Sequence, residues 1–209
     1  MINELEAALT PKQLSTLASI VYVGNAAYRD LMETQRPMFG HRYFRETRGR
    51  IRTKLVQMQC EIESHDTDFP FEFHEQKFLY GDCGPELHSK NVILHIARSS
   101  SPEKLPSKAR YKIELSNNNA PLHRQMVMDT DLQPPYGLAP LYGLLVFGGF
   151  EKTFSVIQFP APGYHDILET IVIPHIILSE ESKDTELFER KKAVLKEEFL
   201  AHGSKEAIS

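Results

Sequence analysis

Acidic residues followed by a lysine are the first candidates for chemistry in this sequence. Asp66 or Asp68 precedes Glu75-Gln76-Lys77, which loosely matches the acid and Glu-x-Lys pattern of metal-dependent nucleases. Two carboxylates can hold a divalent ion while a lysine on the same strand face stabilises charge that develops on phosphate. Because a quarter of the residues are charged, such triplets also arise by chance, as at 181–183. The alternative is therefore an ordinary solvated strand face.

Histidines offer a second kind of site, since imidazole is both a general base and a ligand for transition metals. The chain has nine, and His165 and Glu169 lie one helical turn apart if their segment is a helix. That pair predicts either a shared metal ion or a simple contact on a helix surface. The sequence contains neither a HExxH pattern nor a CxxC pair. Cys60 and Cys83 are expected to pack as small apolar side chains.

Residues 42–54, here called the basic segment, form the one strongly basic stretch, and they include the aromatic residues Tyr43 and Phe44. Its six cations are Arg42, Arg45, Arg48, Arg50, Arg52 and Lys54. Such a run can contact phosphates, with salt-sensitive binding, or it can meet an acidic protein surface. The alternative is a solvated face whose cations pair with the chain's own carboxylates at modest energies. Alanine at Arg48, Arg50 and Arg52 is predicted to abolish partner binding and to leave thermal stability nearly unchanged.

Composition narrows the classes of function. The 209-residue chain has a formal net charge of −4, which argues against a protein whose whole surface binds nucleic acid or acidic membrane. Two cysteines are too few for a secreted disulfide framework, and no apolar run is long enough to cross a bilayer. We therefore expect a cytoplasmic protein. No cofactor is expected, because the sequence lacks a phosphate-binding loop and a dinucleotide fingerprint.

Hydrophobic spacing predicts the elements that must position these residues. Thr10 and Gln13 have the spacing of a capping box, and they start a helix that reaches about Thr34. Segment 51–62 fits a helical stripe and a strand face alike, and we favour the helix. Two apolar runs flank Gly148-Gly149, which predicts a β-hairpin over 141–160.

The remaining pattern alternates strands, helices and loops. Strands are predicted over 69–80, 91–98 and 111–115, helices over 164–172 and 184–202, a turn at 81–85 and an irregular stretch over 117–140. The predicted fold is α+β, with a mainly antiparallel sheet and helices at both termini. We expect a single domain, with a helical part over 1–64, a sheet over 65–160 and a second helical part over 161–209.

Five short segments carry a resemblance to other proteins. They are Arg48–Ile51, Val92–Arg98, Leu105–Ala109, Asn117–Asn119 and Leu141–Gly149, the last of which leads to Phe159-Pro160. In this order they resemble a group of uncharacterised bacterial proteins that are carried on mobile elements beside repressor and metallopeptidase genes. The resemblance implies a regulatory partner protein and assigns no site residues. The chain departs from that group in having no Trp.

These observations favour a non-catalytic module that binds another protein, as a regulatory or neutralising partner in a bacterial system. The basic segment and residues 117–140 are its expected contact surfaces. One alternative is a metal-dependent nuclease that uses Asp68, Glu75 and Lys77, and another is a protein that binds nucleic acid without cleaving it. The sequence leaves the oligomeric state open.

Overall fold

The computed structural model describes residues 9–78, 83–122, 139–149, 153–174 and 183–206. The chain divides into two units, which we call the sheet unit (1–15 and 70–174) and the helical unit (16–69 and 175–209). The expectation that the chain forms one domain stays a prediction. No helix in the described residues is long and apolar enough to span a membrane.

The sheet unit is built on strands that lie side by side in chain order. They are β1 Glu72–Lys77, β2 Cys83–His88, β3 Val92–Ser99, β4 Leu141–Gly148, β5 Phe154–Pro160 and β6 Ile167–Val172. All neighbouring strands pair antiparallel except β3 and β4, which pair parallel. The parallel pair needs a long crossover connection, and residues 100–140 supply it.

The described helices precede, interrupt and follow this sheet. They are α1 Pro11–Thr34, α2 Arg36–Phe39, α3 Thr47–Ser64, α4 Arg110–Ser116 and α5 Lys183–Glu206, with 3-10 turns at Arg42–Phe44 and Asn117–Asn119. A mostly antiparallel sheet with helices at both ends of the chain confirms the predicted α+β class.

The predicted hairpin over 141–160 is confirmed as β4 and β5. Both strands are buried almost throughout, because apolar side chains occupy both of their faces. Gly149 follows β4 with a φ of 77°, an angle that glycine adopts without a Cβ clash. The side chain of Asn119 fixes the start of β4, since its Nδ2 donates to the carbonyls of Tyr142 and Pro160 at 2.8 Å.

Three segments of the sheet unit contradict the sequence-based predictions. Residues 110–116 form α4 rather than a strand, and Lys112 and Ser116 are buried at helical spacing while Ile113 is exposed. Residues 167–172 form β6 rather than a helix, because Gly163 and Tyr164 adopt positive φ angles and turn the chain back along β5. Residues 83–88 form β2, although 83–85 belong to the predicted turn over 81–85.

The helical unit has a core made by α1, α3 and α5. Val23, Ala27, Leu31, Leu55 and Leu195 are buried together there. Gly24 permits a close approach of α1 to α3, since a Cβ at that position would lie 2.8 Å from the Cα of Val56.

Three of the predicted helices are present in the structure. The helices over 10–34 and 51–62 are confirmed. The capping box at the start of α1 also forms, with the backbone N–H of Thr10 donating to Gln13 Oε1 at 2.7 Å and that of Gln13 to Thr10 Oγ1 at 3.2 Å. The final helix is confirmed as well, but it continues to Glu206, past the predicted end near residue 202.

Candidate functional site

Only some cations of the basic segment are available to a partner. The side chains of Arg42, Arg45 and Arg50 are exposed. Among the described residues, the side chains of Arg45 and Arg50 make no hydrogen bond or ion pair. We call Arg42, Tyr43, Arg45 and Arg50 the exposed basic cluster.

Tyr43 gives this cluster an aromatic centre. Its side chain is 74 % exposed, and the guanidinium carbon of Arg42 lies 5.0 Å from the centre of its ring. Met38 and Phe44 add exposed apolar surface in the same stretch of chain. Aromatic side chains and arginines are the residue types that protein interfaces favour, whereas an isolated fold gains little from leaving a large ring in water.

Arg48 has a structural role next to the cluster. Its Nε and Nη2 both donate to the carbonyl oxygen of Phe39, at 2.8 and 2.5 Å, and thereby satisfy the last turn of α2. Phe39 is buried and meets the ring of Phe44 edge-on at 5.9 Å. Arg48 therefore holds the turn that presents Tyr43.

Arg52 is buried and contributes to the core of the helical unit. Its Nε donates to Asn25 Oδ1 at 2.6 Å, and its guanidinium carbon lies 5.9 Å from the ring centre of Tyr28. Lys54 is half-buried and already engaged within the chain. Alanine at Arg52 is therefore expected to disturb the fold, so the triple substitution suggested by the sequence does not test partner binding cleanly.

The residues of the nuclease alternative belong to different units, and their joint site stays a prediction. Glu75 and Lys77 are exposed on the same face of β1, whereas Asp68 lies in the helical unit, where its backbone N–H donates to Asp66 Oδ1 at 3.0 Å. Residues 123–138, most of the expected contact surface over 117–140, lie outside the described residues.

The helix expected to carry His165 and Glu169 does not form, and a metal ion shared by the two stays a prediction. His165 is exposed in the turn before β6, and Glu169 lies within β6, where its Oε1 accepts from the backbone N–H of Thr170 at 3.2 Å. Cys60 is buried, as expected for an apolar role, and burial raises the pKa of its thiol.

The structure shows a different cluster of titratable residues, on β1 and β2. Glu72 lies opposite His88 and His74 lies opposite Glu86, so that two glutamates and two histidines alternate on one face of the strand pair. We call these four residues the Glu/His grid. His74 Nε2 is 3.0 Å from Glu72 Oε1, and His88 Nε2 is 2.6 Å from Glu86 Oε1. The two imidazole ring centres are 4.6 Å apart.

His95 on β3 extends the grid into the interior. It is 2 % exposed, and its Nε2 lies 3.0 Å from Glu86 Oε2, although the N–H is not aligned as a directed hydrogen bond. The contact with His95, followed by that with His88, lowers the pKa of Glu86 to about 2 against the opposing effect of burial. Glu86 is therefore a carboxylate held in its charged form by two imidazoles.

Two tyrosine rings contact His95 at the inner end of this cluster, and Lys112 lies next to one of them. The ring of His95 lies 5.0 Å from that of Tyr111 and 5.6 Å from that of Tyr142. Burial raises the pKa of Tyr142, whereas it lowers the pKa of Lys112 to about 8. Lys112 Nζ donates to the carbonyl of Ser107 at 2.9 Å.

Comparison with known proteins adds no name to these sites. No protein-family model matches the chain, and neither a curated protein nor a solved structure matches it. The residues and their geometry therefore carry the functional argument.

Sequence reasoning missed the Glu/His grid, although a signal for it was present. The motif Glu-x-His occurs at 72–74 and again at 86–88, and strand alternation places both members of each motif on one face. The sequence-based prediction has a turn over 81–85 and no strand over 86–88, so it does not pair the second motif with the first.

Proposed function

We propose that this chain is a non-catalytic interaction module that regulates or neutralises a partner protein by binding an acidic surface on it. The observation that carries the proposal is the exposed basic cluster, in which a largely exposed Tyr43 is accompanied by Arg42, Arg45 and Arg50. The resemblance described above would place the partner in a bacterial mobile-element system. Action in the cytoplasm stays part of this proposal.

The division of the basic segment supports an interface role. Arg48 and Arg52 are used within the fold, which leaves the cluster exposed on a fixed support. A contact surface whose backbone is already ordered loses less entropy on binding than a flexible one. Tyr43, with Arg42 against its ring, would act as the anchor, and the exposed Arg45 and Arg50 would help to steer an acidic partner and fix its register.

A protein partner fits this cluster better than nucleic acid does. Three exposed cations release few counterions, while the chain as a whole carries a formal charge of −4. Met38 and Phe44 add apolar surface, which protein partners bury more readily than a phosphate backbone does.

The proposal is tested by affinity capture from extract of the native host, with and without nuclease treatment, using three forms of the chain. The first is the unaltered protein, and the second carries Tyr43→Ala, Arg45→Ala and Arg50→Ala. The control carries Lys104→Ala, Lys108→Ala and Ile113→Ala, which likewise removes two exposed cations and one exposed apolar side chain.

We expect a stoichiometric protein that the unaltered chain and the control retain and that the second form loses. Equal retention by all three forms would remove the exposed basic cluster from consideration. Retention that disappears on nuclease treatment, with a steep loss at higher salt, would favour the nucleic-acid-binding alternative.

A further inference from the structure

We propose that the Glu/His grid of β1 and β2 binds a Zn²⁺ ion. Glutamate oxygens and imidazole nitrogens are both zinc ligands, and two of each make a complete four-coordinate set. The inference uses only residues of the sheet unit and does not depend on the partner proposed for the exposed basic cluster.

The strand register places all four ligands on one face of the strand pair. Glu72 and His74 alternate along β1 on the same face as Glu86 and His88 of β2, and the cross-strand partners are Glu72 with His88 and His74 with Glu86. Directly opposed residues of an antiparallel pair have Cβ atoms about 5 Å apart. Residues two apart along a strand are separated by about 6.8 Å, so the four side chains rise from the corners of a small rectangle.

The distances between donor atoms are close to those of a zinc site. Zinc bonds of about 2.0–2.1 Å at tetrahedral angles hold neighbouring donor atoms about 3.3 Å apart. In the grid, His74 Nε2 and Glu72 Oε1 are separated by 3.0 Å, and His88 Nε2 and Glu86 Oε1 by 2.6 Å. Each pair needs to open by less than an ångström to admit the ion.

The distance between the two imidazole rings also agrees with that expected around a zinc ion. A ring centre lies about 3.2 Å from a bound zinc, so two rings at a tetrahedral angle have centres about 5 Å apart. The ring centres of His74 and His88 are separated by 4.6 Å.

One rearrangement is required. The donors presently form two separate Glu and His pairs, and no three His, Cys, Asp or Glu side chains in the described residues converge on a single metal position. The side chains of His74 and His88 are 46 % and 30 % exposed, so both rings can turn toward a shared ion and the ion can enter from solvent. Two carboxylates balance its double positive charge.

His95 contacts the ligand Glu86 from the buried side of the site. Its Nε2 lies 3.0 Å from Glu86 Oε2, the oxygen that does not face His88. Carboxylates and imidazoles that bind zinc are usually oriented by such outer partners. A full set of four protein ligands is typical of a structural zinc site, so the ion would join β1 to β2 rather than activate a water.

The test is isothermal titration of the untagged full chain with Zn²⁺, accompanied by absorption spectra with Co²⁺ as a coloured substitute. The variants are His74→Asn and the double variant His74→Asn with His88→Asn. The control is His165→Asn, which removes an exposed histidine outside the grid. We expect one ion per chain, a tetrahedral Co²⁺ spectrum, and affinity at least about 100-fold weaker in the double variant, since even an outer partner is worth about 10–100-fold.

Three results would overturn the assignment. They are the absence of Zn²⁺ binding by the unaltered chain at millimolar ion, equal affinity in the double variant, and a loss of affinity in His165→Asn as large as that in the double variant. Far-ultraviolet circular dichroism checks that the variants fold. If the double variant does not, His74→Asn decides alone, because that side chain is nearly half exposed and its removal disturbs little of the core.

Discussion

The basic segment and the Glu/His grid differ in how their chemistry is encoded. The basic segment is obvious from composition, yet its arginines divide between contacts within the fold and exposure to solvent. The grid is inconspicuous in composition, because its members lie in two short motifs that are brought together only by strand register. A run of like charges in the sequence therefore suggests more exposed charge than the fold presents. Two separated Glu-x-His motifs suggest less clustering than the fold produces.

The largest effect that tests this comparison is expected at Arg52. Arg52→Ala removes a buried guanidinium and leaves Asn25 Oδ1 without this donor, so the free energy of unfolding should fall by about 3 kcal/mol. The exposed Arg50→Ala should change it by no more than about 0.5 kcal/mol. Urea unfolding measures both, and equal stabilities would show that the division of the basic segment is mistaken.

A smaller effect is expected at Glu86, and it depends on pH. Glu86→Gln should lower the free energy of unfolding by about 2 kcal/mol at neutral pH, because a carboxylate paired with two imidazoles is lost. The pKa of Glu86 is lowered from 4.5 to about 2, so its contribution is present above pH 4.5 and is lost as the pH falls toward 2.

Unfolding curves of the unaltered chain and Glu86→Gln at several pH values provide this measurement. The difference between the two proteins should shrink steadily below pH 4.5. A difference that stays constant down to pH 2 would mean that the charge of Glu86 contributes nothing to stability.

Arg48 should show a smaller loss of stability than Glu86, together with a change in binding. Arg48→Ala removes two hydrogen bonds to one partly exposed carbonyl, so we expect a loss of about 1 kcal/mol. Partner affinity should also fall, since the turn that presents Tyr43 is no longer held. Arg48→Lys should restore little of it, because an ammonium cannot reproduce the paired donors of a guanidinium. Full recovery in Arg48→Lys would instead assign the effect to charge alone.

Much of the fold could be predicted from local patterns. The capping box of Thr10 and Gln13 and the glycines at 148–149 specify their elements through backbone geometry, and the structure confirms the helix and the hairpin. Segment 111–115 misled the prediction because alternating apolar residues fit a strand, whereas burial of Lys112 and Ser116 selects a helix. Such a choice depends on tertiary packing, which propensity does not contain.

The candidate sites could be predicted only in part. The charge of the basic segment was readable, but the burial of Arg52 depends on Asn25, 27 residues away in the chain. The Glu/His grid required the pairing of β1 with β2, and β2 was itself missed. The features that could not be predicted are therefore those that depend on contacts between residues far apart in the chain.

The measurement that tests the central claim most directly is the affinity of the captured partner for the form carrying Tyr43→Ala, Arg45→Ala and Arg50→Ala. We expect a loss of at least about 100-fold, since an aromatic anchor and two cations are removed, with an unfolding midpoint close to that of the unaltered chain. Unchanged affinity in a folded variant would contradict the proposal that the exposed basic cluster is the binding surface.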